Sequence, residues 1–337
     1  MPLTDSIDPK DIRFFSGQSH PELAKGITEY LGVPLETTHF SRFGNDNLFI
    51  QLGASVRGRA VFIVQSLTPP VSDHLLELLM MLDIARGAGA REVHAIIPYF
   101  SYARSDKKDA PRISITARLV ADLLQTAGAT HVMTMTLHSP QVHGFFSIPT
   151  DPLTARPKFV RHFRRKGYSP QDTIVFAPDV GRAKPAARFA ERLGLPFGAA
   201  DKKRLTDKIV EIDADAVKRQ VKGFFRAIIY DDEIATGGTV LELVEHLLQN
   251  DIQEIATICT HGLFIGNALT TLTDIPQITE IITTDTVPQP KPQDRPAKLT
   301  VIPVASSFGK AIWRNYTRQS IGDLFSFGEG VGEEDED

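Results

Sequence analysis

Phe224-Phe225-Arg226-Ala227-Ile228-Ile229-Tyr230-Asp231-Asp232-Glu233-Ile234-Ala235-Thr236-Gly237-Gly238-Thr239-Val240 is the stretch whose reading decides the fold. Phe224 to Tyr230 is an apolar, aromatic-rich run of strand length. The glycine pair punctuates it, and Val240 to Gln249 reads as a helix. Thr239 and Glu242 have the spacing of a capping box, which predicts that the helix starts there. Glu254 to Cys259 is again a strand. Strand, glycine turn, helix and strand in this order form one βαβ unit, and such units build parallel sheets.

The same grammar extends outward. Upstream, Thr173 to Ala177 reads as a strand and Lys184 to Leu193 as a helix. In the first half, Arg59 to Ser66, Glu92 to Phe100 and His131 to Leu137 read as strands. Between them lie helices over Asp73 to Arg86, with Leu75, Leu76, Leu79 and Leu82 on one face, and over Ser114 to Ala127. Arg59 and Arg226 each open a strand, loop, Leu-rich helix and strand, which points to two related doubly wound domains in tandem. A chain of 337 residues is long enough for two cores. The joint is expected within Pro152 to Asp172, which holds prolines and the basic run Arg161 to Lys166. The expected domains are 11–155 and 156–326. Residues 1–10 and the Gly-rich acidic tail 328–337 are expected to be disordered.

Composition excludes several classes. The chain is 42% hydrophobic and 23% charged, ordinary globular material, with a net charge of −4. That charge gives no basic field for nucleic acid and no polybasic membrane patch. No apolar run has the length of a membrane span, and Met1 to Lys10 lacks the apolar core of a signal peptide. One cysteine, Cys259, rules out an intramolecular disulfide framework and fits a reducing, cytoplasmic setting.

The turn carries the chemistry. Gly237-Gly238 leaves backbone N–H groups unobstructed before a helix whose positive end faces the same space, an anion site. Thr236 and Thr239 add hydroxyl donors. Asp231 and Asp232 suit vicinal sugar hydroxyls, which donate hydrogen bonds to carboxylate. A phosphate cradle beside a diol reader describes a pentose 5-phosphate. No Lys-Ser/Thr follows the glycines, so this is not a Walker A loop. Elsewhere the residues alone read blandly. Arg104 is a surface arginine beside Asp106, Phe43 a core aromatic, Lys202 and Arg204 a solvated basic run. His138 and Asp179 gain weight because each follows a strand, and ligands of open α/β sheets bind at strand carboxyl ends.

The turn resembles the ribose-phosphate signature of type I phosphoribosyltransferases. From about Phe14 to Phe325 the chain resembles the ribose-phosphate pyrophosphokinases, which share that fold. The resemblance runs in order through Phe14-Phe15-Ser16-Gly17, Arg42-Phe43-Gly44-Asn45-Asp46, Phe62-Ile63-Val64-Gln65-Ser66, Pro98-Tyr99-Phe100-Ser101-Tyr102-Ala103-Arg104-Ser105-Asp106-Lys107-Lys108, Leu137-His138-Ser139-Pro140-Gln141, Gly144-Phe145-Phe146, Ala177-Pro178-Asp179-Val180-Gly181 and Asp201-Lys202-Lys203-Arg204. It implies two tandem type I phosphoribosyltransferase-like α/β domains, each a mainly parallel sheet with helices on both faces. It implies transfer of the diphosphoryl group of ATP to the 1-hydroxyl of ribose 5-phosphate.

The resemblance also assigns residues. Phe43, Asn45, Arg104, Ser105, Asp109 and His138 are expected at ATP, with Phe43 on adenine. Asp231, Asp232, Ala235, Thr236, Gly237, Gly238 and Thr239 are expected at ribose 5-phosphate. Mg²⁺ is expected at His138 and Asp179, and Lys202 and Arg204 are expected to act as catalytic cations on a closing loop. A homo-oligomer built from dimers, up to a hexamer, is implied, with regulation by phosphate or ADP between subunits. Ser320 and Phe325 lie in the segment matching that regulatory site.

Four positions depart from the family pattern: Thr136 and Ala235 stand where an Asp is usual, Asn47 where an acid is usual, and Ser105 where a Gln is usual. The competing readings are a base-salvage phosphoribosyltransferase and a catalytically weak regulatory homologue. The Tyr102 to Lys108 stretch and the duplicated architecture weigh against the first, and the persistence of Lys202 and Arg204 against the second.

Overall fold

Strands that read as unbroken apolar runs, not as alternating ones, are buried on both faces of a parallel sheet. The computed structural model describes residues 7–204 and 210–325; of residues 202–204, 210 and 211 it describes the backbone. It divides into two units. The first holds the described residues up to Thr154, then Thr286–Pro288 and the chain from Pro303 on; the second holds Ala155–Asp285 and Gln289–Ile302.

The first unit contains β1 (Ile12–Ser16), α1 (Pro21–Leu31), β2 (Leu35–Glu36), β3 (Thr38–Arg42), β4 (Leu48–Leu52), β5 (Ala60–Val64), α2 (Val71–Gly87), β6 (Glu92–Ile97), α3 (Thr116–Ala127), β7 (His131–Met135) and β8 (Thr150–Leu153). The second contains α4 (Arg156–Arg164), β9 (Thr173–Ala177), α5 (Ala183–Leu193), β10 (Phe197–Ala199), β11 (Lys202–Arg204), β12 (Val210–Ile212), α6 (Ala214–Val221), β13 (Arg226–Ile234), α7 (Gly238–Leu248), β14 (Glu254–Gly262), α8 (Ala268–Asp274), β15 (Ile278–Thr284) and β16 (Leu299–Ile302). A last helix, α9 (Ala305–Tyr316), returns to the first unit and packs on α1.

The sheet orders are β2-β1-β5-β6-β7-β8 and β10-β9-β13-β14-β15-β16. Every neighbouring pair in both sheets is parallel. The two orders are the same permutation, and each unit inserts one antiparallel hairpin, β3–β4 or β11–β12, between its second and third sheet strands. The two-fold repeat read around Arg59 and Arg226 is therefore a repeat of topology. β5, β7 and β9 are buried at every position. The cores gather around Phe15, Ile63, Leu82 and Leu124 in one unit and around Phe176, Ile229, Leu243 and Ile281 in the other. Burial pushes the Cys259 thiol up, away from reactivity. No helix among the described residues is long and apolar enough to cross a membrane.

Several expectations are corrected. The division between the units falls between Thr154 and Ala155, and the prolines around it lie in regular elements. Pro152 lies in β8, an edge strand where a missing N–H costs no ladder bond. Pro157 sits in the first turn of α4, where its fixed φ suits a helix. The basic run rides on this helix, whose Phe159, Val160 and Phe163 are buried. The inward face of α2 is Glu77, Leu78, Met81, Leu82 and Ala85, while Leu76 is 50% exposed. α2 is apolar around most of its circumference, so leucine spacing alone could not orient it. Ile7 is buried and residues 9–11 form a turn, so residues 7–10 belong to the folded unit. Residues 1–6 and 328–337 lie outside the described residues.

A polar cluster sits at the amino ends of β6 and β7. His94 Nδ1 faces His131 Nδ1 at 3.1 Å, and His131 Nε2 lies 2.7 Å from Asp151 Oδ2. Phe62 stacks on the His94 ring with centroids 4.3 Å apart. Burial first, then the charge of His131, lowers His94 to about 4, against weaker pulls from Glu92 and Asp151. The sign follows from linkage. Below about pH 6.5 the unfolded chain gains a proton at this position that the folded chain refuses down to about 4. Stability should therefore fall by roughly 3 kcal/mol as pH drops through that window. His94→Gln, which cannot titrate, should flatten the pH dependence of the melting temperature between these values. An unchanged slope would contradict this account.

Candidate active site

β13 runs four residues further than the expected Tyr230 end, to Ile234, so Asp231 and Asp232 stand inside the strand rather than after it. Asp232 is 5% exposed and Asp231 partly exposed. The Asp232 amide donates to Asp231 Oδ1 at 2.8 Å. Burial, then the neighbouring Asp232 charge, pushes the Asp231 carboxyl well above the usual carboxylate range, and Arg182 opposes the shift. An Arg182 guanidinium nitrogen lies 3.4 Å from Asp232 Oδ2, with both side chains under a tenth exposed. Arg182 ends the short turn Val180–Arg182 that follows β9. Asp179 caps that turn, its Oδ1 accepting the Arg182 amide at 3.0 Å.

The turn after β13 is braced from one side. The Ile234 carbonyl accepts from the amides of Leu263 and Phe264, and the Ala235 carbonyl from Ile265 at 2.9 Å. Thr236 is exposed and Thr239 half-buried. Gly237 caps α7 with φ of 80°, the left-handed region that excludes most side chains. The expected Thr239–Glu242 capping box does not form. Thr239 lies within α7, no side chain caps the helix, and Glu242 instead accepts the Ile212 amide at 3.1 Å. The first turn of α7 is thus an amide-rich positive end without a side-chain acceptor from a cap.

Glu242 thereby ties α7 to the base of the β11–β12 hairpin, where Lys202 pairs with Ile212 and Arg204 with Val210. The Asp213 amide closes the same base on the Asp201 carbonyl at 2.8 Å. The side chains of Lys202 and Arg204 lie outside the described residues. Within this unit, Asp179, Asp231, Asp232 and the turn from Ala235 to Thr239 all stand at or beyond the carboxyl ends of β9 and β13, which are neighbours in the sheet.

In the first unit, Arg104 ends the turn Ser101–Arg104 after β6 and is exposed. His138 follows β7, the next strand, after Thr136 at φ of 47°. Asp109 is exposed. Phe43 and Asn45 occupy the tip of the β3–β4 hairpin. Phe43 is 59% exposed, so it is not a core aromatic, and it meets Phe49 edge to face. Asn45 Oδ1 accepts the Asn47 amide at 3.3 Å, and Arg42 binds the hairpin to Asp46 and to Asp73 of α2. The Ser105 hydroxyl is engaged at the start of α3, accepting the Thr116 amide at 3.2 Å and donating to the Ser114 carbonyl. At the carboxyl ends of β1 and β5, Gln65 accepts from the amide and hydroxyl of Ser19 and donates to the buried Glu77.

Among the described residues no group of three or more His, Cys, Asp or Glu is arranged to hold a metal ion. Asp179 offers carboxylate oxygen and His138 an imidazole, each at a strand end. The Asp179 carboxylate suits an ion that keeps waters and shares ligands with phosphates, as Mg²⁺ does. A cavity of about 870 Å³, lined by His94, His131, Asp151, Arg91 and Arg318, opens at the opposite, amino edge of the first sheet from Arg104 and His138.

Two family models match the chain: the N-terminal domain of ribose phosphate pyrophosphokinase over residues 12–128, and the phosphoribosyl synthetase-associated domain over residues 215–326. The ribose-phosphate pyrophosphokinase of Deinococcus radiodurans is 44% identical, covering 93% of this chain and 97% of its own. The chain belongs to the ribose-phosphate pyrophosphokinase family. The ribose-phosphate pyrophosphokinase of Caldanaerobacter subterraneus is 40% identical over 94% of this chain and 98% of its own. The solved phosphoribosylpyrophosphate synthetase of Mycobacterium smegmatis superposes with a TM-score of 0.83 at 33% identity, covering 91% of this chain and 99% of that one. Arg182 is the residue of this family member's candidate site that sequence reasoning passed over. Its signal was position, three residues beyond Asp179 at a strand end.

The conformation of the turn can be tested by substitution. A Cβ at Gly237 would meet only ordinary contacts, the nearest at 3.6 Å from Ala268, so strain at positive φ is the cost. Gly237→Ala should destabilise by about 1–2 kcal/mol, read as a lower melting temperature. Gly238→Ala, with open space and no positive φ, should leave stability in place. Equal melting curves for wild type and Gly237→Ala would contradict the assigned strain.

Proposed function

We propose that the protein transfers the β,γ-diphosphoryl group of ATP to the 1-hydroxyl of ribose 5-phosphate, giving phosphoribosyl pyrophosphate and AMP. The observation that carries this reading is similarity over nearly the whole length to named ribose-phosphate pyrophosphokinases, in both units and not in one alone. A base-salvage transferase leaves the duplicated unit and its Tyr102 to Lys108 stretch without a role.

The proposal assigns ribose 5-phosphate to the second unit. The amides of Gly237, Gly238 and Thr239, with the hydroxyls of Thr236 and Thr239, take the 5-phosphate at the positive end of α7. Ala235 contributes through its backbone, so the missing Asp side chain removes no phosphate donor. Asp231 and Asp232 accept the ribose hydroxyls and orient the sugar. ATP is assigned to the first unit: Phe43 stacks on the base, Asn45 reads its edge, and Arg104 binds phosphate oxygens bidentately, with Ser105, Asp109 and His138 assigned to the same nucleotide. Mg²⁺ is assigned to His138 and Asp179, where it would neutralise phosphate charge.

The ribose hydroxyl oxygen bonds to the β-phosphorus and gives up its proton to water, the bond from the β-phosphorus to the α–β bridging oxygen breaks, and the electron pair leaves with AMP. Charge grows on the bridging and equatorial oxygens, so positioning and fixed cations supply most of the catalysis. Lys202 and Arg204 are the cations assigned to this charge. A homo-oligomer with adenine bound near a subunit boundary completes the proposal.

The assay is AMP release from ATP plus ribose 5-phosphate. Wild type should turn over with both substrates and with neither alone. Lys202→Ala should lower kcat by about 10²- to 10³-fold with ATP affinity retained in equilibrium titration. Full activity of Lys202→Ala would remove it from catalysis, and no AMP from wild type would overturn the reaction.

A further inference from the structure

Asp232 is a carboxylate with 5% exposure, placed beside a second carboxyl in the same strand. Such a group stays charged only if a cation or several donors compensate it. The structure supplies a cation from a different segment, the Arg182 guanidinium 3.4 Å from Asp232 Oδ2. Arg182 is itself 7% exposed. A buried ion pair adds little net stability over an apolar pair of similar volume, so its presence here calls for another role. Its place supplies one. Arg182 is fixed at its backbone by Asp179 of the strand-end turn after β9, and at its side chain by Asp232 near the end of β13. One residue thus joins two strand ends that carry the proposed site.

We propose that Arg182 is a positioning residue for ribose 5-phosphate recognition. It holds the Asp232 carboxylate in place and aimed for the ribose hydroxyls, acting on the sugar through Asp232 and not by contact. This rests on the proposed reaction and adds to it a residue that neither the turn nor the basic hairpin contains. A planar guanidinium suits the task because it grips a carboxylate with directed donors, whereas a lysine offers only a compact charge.

The test uses the full chain and steady-state AMP formation, with ribose 5-phosphate varied at saturating ATP and then the reverse. Arg182→Ala should raise KM for ribose 5-phosphate roughly 10- to 100-fold while KM for ATP stays at the wild-type value. Arg182→Lys should recover part of that loss, and Arg182→Gln, which keeps donors but no charge, should recover less. If Arg182→Ala does not fold by circular dichroism, the comparison of Arg182→Lys with Arg182→Gln decides by the same split. Wild-type activity combined with an unchanged KM for ribose 5-phosphate in the folded variants would overturn the inference, as would an equal rise in both KM values. Absence of AMP release from wild type would sink the reaction itself, which is a distinct outcome.

Discussion

Parallel strand pairing is the constraint on which the rest depends. In a parallel sheet every strand delivers its carboxyl end to the same edge, and every following loop must turn back there to enter a helix. Both units obey this rule with the same strand permutation. In the second unit the edge gathers Asp179 after β9 and Asp231, Asp232 and the Gly237-Gly238 turn at β13, although more than fifty residues separate them in sequence. In the first it gathers the turn of Arg104 and the segment of His138 after neighbouring strands. The opposite edge of the first sheet holds a polar cavity and a buried histidine pair, but its residues come from strand starts and from the end of α9, not from the loops that this topology uses for ligands.

Electrostatics at the second unit's edge is organised in opposed pairs. The positive end of α7 and the amides of its first turn favour an anion. Beside them two carboxyls share a confined space, and burial with mutual repulsion pushes one of them up. Arg182 offsets that repulsion. A phosphate and a diol at opposite ends of one small sugar match this alternation of donors and acceptors. The backbone of the β11–β12 hairpin is tied to the same helix through Glu242, so the helix that follows the glycine turn also anchors the hairpin.

Most of the architecture was legible because its signals are local. The apolar runs at Thr173–Ala177 and His131–Met135, and the glycine turn before α7, fix strands and reversals within a few residues. What escaped depends on partners distant in sequence. Glu242 has the spacing of a capping residue, yet Ile212, thirty residues away, claims its carboxylate. Pro152 and Pro157 look like breaks in regular structure until the sheet edge and the helix first turn make them harmless. α9 follows the second unit in sequence and packs with the first, which no periodicity could show. Arg182 reads as one more arginine of a strand-end turn until the sheet brings Asp232 to it.

The central claim is that the backbone between Ala235 and Thr239 binds the phosphate of a sugar phosphate. Amide ¹H–¹⁵N spectra of the labelled protein, titrated with ribose 5-phosphate and separately with ribose, address it directly. The account predicts large shifts at the amides of Gly237, Gly238 and Thr239 with ribose 5-phosphate, and none at those amides with ribose at equal concentration. Shifts confined to other segments, or the same shifts with both sugars, would contradict it.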